Sequence, residues 1–140
     1  VRAALLAIAV WLAIAAAAHS HTPSFPESNI TRGRTAAGHP YQSGGISTDE
    51  QRAMERVSNS YNLKLVFAGG TGTFAAPDFV VIGANHDRAV ERVAVNAPWF
   101  YIRLPSGGYT ILARFAGRIV LIRDVYLQEG RLRMYRVRAD

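Results

Sequence analysis

The stretch from Asn96 to Gly117, NAPWFYIRLPSGGYTILARFAG, limits the fold of this chain more than any other. Phe100, Ile102 and Leu104 share one face of a first alternating run, and Tyr109, Ile111, Ala113 and Phe115 share one face of a second. Side chains point to opposite faces of successive strand positions, so a period of two means one buried face. The cluster Pro105-Ser106-Gly107-Gly108 between the runs then predicts an antiparallel hairpin. Other segments carry related patterns. Leu63, Leu65 and Phe67 alternate with Asn62, Lys64 and Val66, and Phe79 to Ile82 is a continuous apolar run of the kind that a strand covered on both faces shows. Val90, Val93 and Val95, then Ile119 to Leu127, then Leu132 to Val137 after the Glu129-Gly130 turn, complete a set of about seven strands. Such spacing predicts an all-β sandwich. The last strand is ambiguous in register, because Leu132 and Met134 lie on one face and Tyr135 and Val137 on the other. A bulge at Met134-Tyr135 or a plain edge strand with mixed faces would each accommodate it.

These residues resemble the carboxypeptidase regulatory-like (transthyretin-like) domains. There an aromatic strand, a Leu-Pro-x-Gly turn and a Tyr-led strand follow in the order seen in Trp99–Leu104, Leu104–Gly107 and Tyr109–Phe115. Tyr61 to Ala68 extends the match upstream. The resemblance implies a seven-stranded Greek-key, transthyretin/Ig-like sandwich over residues 62–140. It also implies a noncatalytic folding or interaction module. Three positions depart from the pattern: Ala97 replaces the common Gly before Pro-Trp, Ser106 replaces a turn proline, and Asn85–Arg88 replaces an Asp-x-x-Gly hairpin.

Three segments precede the sandwich. Ser47-Thr48-Asp49-Glu50 is a capping box, and Met54, Val57 and Tyr61 follow on one stripe, so 47–61 is expected to be a short amphipathic helix of about three turns packed on the sheet. From 19 to 46 the chain is rich in Pro, Ser and Gly with almost no periodic apolar residues, which predicts a flexible tether. Residues 1–18 combine a positive start, a charge-free run from Ala3 to Ala18 and small residues at its end. That pattern predicts a cleaved export signal, ending at Ala18 or Ser20. Retention as an anchor is the alternative; the run is shorter than the roughly 20 residues that span a bilayer.

Composition narrows the function. Fifteen arginines and a single lysine, Lys64, face ten carboxylates, for a net charge of +6. An anionic envelope component or another protein is the expected partner, although Arg in place of Lys is also what a composition bias would produce. Export argues against nucleic acid, and membrane contact is expected only through the signal segment. With no cysteine the fold has neither disulfides nor a thiol nucleophile. No nucleophile elbow or His-Glu-x-x-His is present, so the chain is expected not to be an enzyme and to need no cofactor. Gly69-Gly70-Thr71-Gly72 lacks the Lys-Ser/Thr of a phosphate loop, and Asn85–Arg88, with His86-Asp87 inside it, has turn chemistry. Two candidate sites remain. Trp99, Tyr101 and Arg103 point to the face opposite Phe100, Ile102 and Leu104, and would form a recognition surface if exposed or a second core if the helix covers them. His19 or His21 would become an amino-terminal histidine after cleavage, able to chelate Cu(II) through amine and imidazole together, as periplasmic copper carriers do.

Overall fold

The computed structural model describes residues 29–71, 73–86 and 90–140. Among these residues nine strands form two sheets, with one short helix. They are β1 (Thr31–Arg34), β2 (Pro40–Gly44), β3 (Leu63–Ala68), β4 (Phe79–Ala84), β5 (Val90–Ala94), β6 (Trp99–Ile102), β7 (Gly107–Phe115), β8 (Arg118–Leu127) and β9 (Arg133–Arg138). Sheet A has the order β1-β2-β6-β3-β9 and sheet B the order β5-β4-β7-β8. All pairs are antiparallel except β3 with β9. The core lies between the sheets. Leu63, Leu65, Phe67, Phe100, Ile102 and Val137 from sheet A meet Val80, Ile82, Val93, Ile111, Ala113, Phe115 and Val125 from sheet B. The described residues therefore form an all-β sandwich, with nine strands rather than seven.

Each of the seven expected strands is present, but the two runs of Asn96–Gly117 do not pair with each other. β6 lies in sheet A between β2 and β3, and β7 lies in sheet B between β4 and β8. The intervening Pro/Gly segment is an arch from one sheet to the other. Both runs bury their apolar faces by facing each other across the core, which period two alone cannot distinguish from side-by-side pairing. Side chains hold the arch. Asn62, buried, donates from Nδ2 to the Leu104 carbonyl at 2.7 Å and accepts from the Leu104 N–H at 2.9 Å. The Tyr109 hydroxyl donates to the Pro105 carbonyl at 2.6 Å.

Part of the expected tether is a hairpin. β1 and β2 extend sheet A, with Gln42 opposite Tyr101 and Ser43 opposite Phe100. Residues 19–28 of that segment, and the whole of the expected signal at 1–18, lie outside the described residues. The last strand follows the edge reading, because β9 runs in unbroken register from Arg133 to Arg138 along β3. A bulge occurs instead in β8, where the register steps between Tyr109 and Ile111 and Asp124 takes φ 56°. Asp is among the few non-glycine residues that tolerate this left-handed backbone.

The helix, α1 (Thr48–Arg56), is shorter than the 47–61 expected, and a 3-10 turn at Ser58–Ser60 carries the chain into β3. Its start follows the capping logic. Ser47 Oγ accepts from the Glu50 N–H at 3.2 Å. The Glu50 carboxylate reaches past the cap to accept from the Gly45 and Ile46 N–H groups, at 3.1 and 2.9 Å. Among the described residues no helix is long and apolar enough to cross a membrane.

Candidate binding surfaces

The strand that carries Trp99, Tyr101 and Arg103 divides them. On the outer face of sheet A, Tyr101 sits between Gln42 and Lys64, and Trp99 between Gly44 and Val66. Helix α1 lies over these two rows. Met54, Tyr61, Val66, Trp99 and Tyr101 form a second core there, with Ile30 and Val57 at its margin. Tyr101 is 0% exposed and Trp99 8%, so neither is a surface residue. Arg103 is exposed, just past the end of β6.

The second core holds the only lysine of the chain. Lys64 Nζ lies 3.5 Å from the Trp99 ring centroid and 5.2 Å from that of Tyr101, with a Glu55 carboxylate oxygen at 3.9 Å. Burial pushes the Lys64 pKa down, opposed by the Glu55 charge. Burial, with a further contribution from Glu55, pushes the Tyr101 phenol up to about 12. The Tyr101 hydroxyl and Trp99 Nε1 are buried and have no hydrogen-bond partner among the described residues. The ammonium thus serves as a cation over aromatic faces, an arrangement that fixes the sheet beneath the helix.

Sheet B is different on its outer face, which no helix among the described residues covers. Cross-strand rows run Ala94–Phe79–Arg114–Ile119 and Arg92–Val81–Leu112–Leu121. Ile119 is 61% exposed and Leu121 44%. The Arg92 guanidinium stacks 3.8 Å from the Phe79 ring centroid, so one edge of the face is shielded by an alkyl-guanidinium side chain rather than by an element. The run Phe79–Ile82 is accordingly covered by the core on one face only, through Val80 and Ile82, and not on both. A shallow groove of about 580 Å³ on this face is lined by Phe79, Val81, Leu112, Arg114, Gly117, Arg118 and Ile119. Among the described residues its lining is apolar with two arginines and no carboxylate.

The histidines fall in separate places. His19 and His21 lie outside the described residues. His86 stands in the turn after β4, where Asn85 accepts from the Thr110 hydroxyl at 3.0 Å. His39 ends the β1–β2 turn, and its Nδ1 lies 2.8 Å from Glu91 Oε2 on β5. Glu91 also accepts from the Ala37 N–H at 3.0 Å. Burial raises the Glu91 pKa, but hydrogen bonds from Thr35, His39 and Ala37, with the His39 charge, outweigh it and hold the carboxyl below its ordinary value. This pair joins the edge of sheet A to the edge of sheet B. Sequence separation of 52 residues kept it out of reach of motif reading. Among the described residues no three of His, Asp and Glu cluster as a metal site would require.

Comparison of the chain with protein-family models, with curated proteins and with solved structures finds no match.

Proposed function

We propose that this chain is an exported, noncatalytic β-sandwich module of the bacterial envelope or its exterior that binds another protein through the outer face of sheet B. The observation that carries this reading is the Phe79–Val81–Leu112–Ile119–Leu121 face, over which no helix or strand of the described residues lies and where Ile119 and Leu121 are exposed. Large contiguous apolar surface on a single domain marks a contact site, whereas scattered exposed apolar residues do not. The expected occupant is a protein segment with apolar residues flanked by carboxylates. Apolar side chains would fill the groove, and the carboxylates would meet Arg114 and Arg118, for which the lining offers no counter-charge. Export rests on the composition of residues 1–18, and the likeness to carboxypeptidase regulatory-like domains rests on the order of motifs in Asn96–Gly117.

The test is retention of a partner from envelope extract by the tagged chain, beside Ile119→Asp, Leu121→Asp and Arg114→Ala variants. A protein retained by the parent at low salt, released as salt rises and lost in all three variants supports the reading. Equal retention by parent and variants overturns it, as does binding to anionic vesicles with no protein retained.

A further inference from the structure

A second basic feature lies at the opposite end of β8 from the groove and does not depend on the protein-binding reading. A cleft of about 290 Å³ is bounded by Arg34, His39, Pro40, Arg103, Leu104, Pro105 and Glu129. Three chain segments converge on it: the β1–β2 hairpin, the arch between β6 and β7, and the turn between β8 and β9. They are joined by short hydrogen bonds. The Arg103 N–H donates to the Pro40 carbonyl at 3.0 Å, and the Glu129 N–H donates to Ser106 Oγ at 2.9 Å. Buried Leu104 supplies an apolar floor.

The polar lining is asymmetric in charge. Among the described residues Arg34 and Arg103 stand against one lining carboxylate, that of Glu129, while His39 is already paired with Glu91. Among the described residues neither arginine forms an ion pair. Two of the three basic groups are held in place. Arg34 Nη1 donates to the Gly38 carbonyl at 2.9 Å, which fixes the guanidinium and leaves its other N–H groups available. Glu91, an ionised carboxylate that can only accept, takes the hydrogen on His39 Nδ1 at 2.8 Å. The imidazole is thereby oriented with Nε2 as its second nitrogen. Carboxylate partners of this kind fix the tautomer and orientation of functional histidines.

We infer that this cleft is a binding site for a compact phosphate-type oxyanion, held by the Arg34 and Arg103 guanidinium groups beside His39. Guanidinium forks match the geometry of phosphate oxygens and donate charge-assisted hydrogen bonds to them. The Glu129 carboxylate opposes such an anion, so its neutralisation strengthens binding. The phosphate could belong to a small molecule or to a lipid headgroup, and the chemistry of recognition is the same for both.

The experiment titrates the full chain with inorganic phosphate at fixed pH and ionic strength, with chloride as the comparison salt. The imidazole resonances of His39, assigned by their loss in His39→Gln, report occupancy. A saturable shift with phosphate and none with chloride is expected. Arg34→Ala and Arg103→Ala each weaken the apparent Kd by about tenfold or more, the loss of a hydrogen bond to a charged group. Glu129→Gln tightens it. Both arginines are exposed, so an unchanged melting temperature in the variants shows that the fold is intact. Sedimentation with phosphatidylglycerol vesicles, lost in the double arginine variant, assigns a headgroup source; phosphate binding without sedimentation assigns a soluble one. Identical His39 responses to phosphate and chloride overturn the site, and so does phosphate binding that survives the double variant.

Discussion

The outer faces of the two sheets are built from similar material and end in opposite states. Sheet A presents Trp99, Tyr101, Val66 and Lys64, and sheet B presents Phe79, Val81, Leu112 and Leu121. A nine-residue helix, anchored mainly by Met54, turns the first set into core. Among the described residues nothing comparable lies over the second. Whether an apolar sheet face is core or surface is thus decided outside the sheet, by a short element placed there through its cap and its glycine entry. Gly45 shows how closely that entry is fitted. Its φ is +86°, and an added Cβ would stand 2.8 Å from Trp99 Cγ.

The strongest way to break the contrast is to remove its central residue. Trp99→Ala should cost about 3–5 kcal/mol of stability, as for other core aromatics. Urea unfolding measures it, and a cost under about 1 kcal/mol would mean that the helix does not bury the ring. Gly45→Ala comes next. The left-handed backbone alone costs roughly 1–3 kcal/mol for a residue with a Cβ, and the contact with Trp99 adds to it. The same unfolding curves report it, and a neutral result would detach α1 from the account.

A smaller effect has the opposite sign. Tyr101 buries a hydroxyl that has no partner among the described residues, and an unpaired buried group costs about 1–3 kcal/mol. Tyr101→Phe should therefore stabilise the fold at neutral pH by about 1 kcal/mol, and destabilisation would reveal a partner for the hydroxyl. The alkaline limb sharpens this test. The Tyr101 phenol, raised by burial to about 12, ionises near 10 in the unfolded chain. Stability linked to it is complete below pH 10 and lost as pH rises through about 12, so the Phe variant should lose less there. Lys64, held low by burial, acts in the other direction, since its penalty is greatest while the ammonium is charged and is relieved as pH rises. The smallest effect belongs to sheet B. Leu121→Lys should change stability by no more than about 0.5 kcal/mol, as exposed substitutions generally do, while removing any partner bound there.

Much of this was readable in the sequence for a physical reason. Tyr109–Phe115 buries one face against the core, and burial of one face writes a period of two; Leu63–Phe67 keeps part of that alternation although the helix covers Lys64 and Val66 as well. The β1–β2 hairpin wrote no such pattern. Gln42, Ser43 and Gly44 are buried yet polar or small. Gln42 is accommodated because its Nε2 donates to the Met54 carbonyl at 3.1 Å and its Oε1 accepts from Arg32 at 3.3 Å. A strand whose burial is satisfied by hydrogen bonds rather than apolar side chains looks like a loop until its neighbours are known. The arch was misread for a related reason, since two alternating runs across a core and two runs side by side share one pattern. Of the candidate sites, the alternation put Trp99 and Tyr101 opposite the core, but only the position of α1 shows that they are covered. The cleft of Arg34, His39 and Arg103 joins segments far apart in the chain, so no local spacing announces it.

The contrast between the two outer faces can be measured directly because the chain contains no cysteine. Single-cysteine variants Val66→Cys, on the covered face of sheet A, and Ile119→Cys, on the bare face of sheet B, can be reacted with a maleimide in native buffer and in denaturant. Ile119→Cys is expected to react natively at close to its unfolded rate. Val66→Cys should be slowed by orders of magnitude, to the rate at which the helix opens. Equal native rates at the two positions would contradict that contrast.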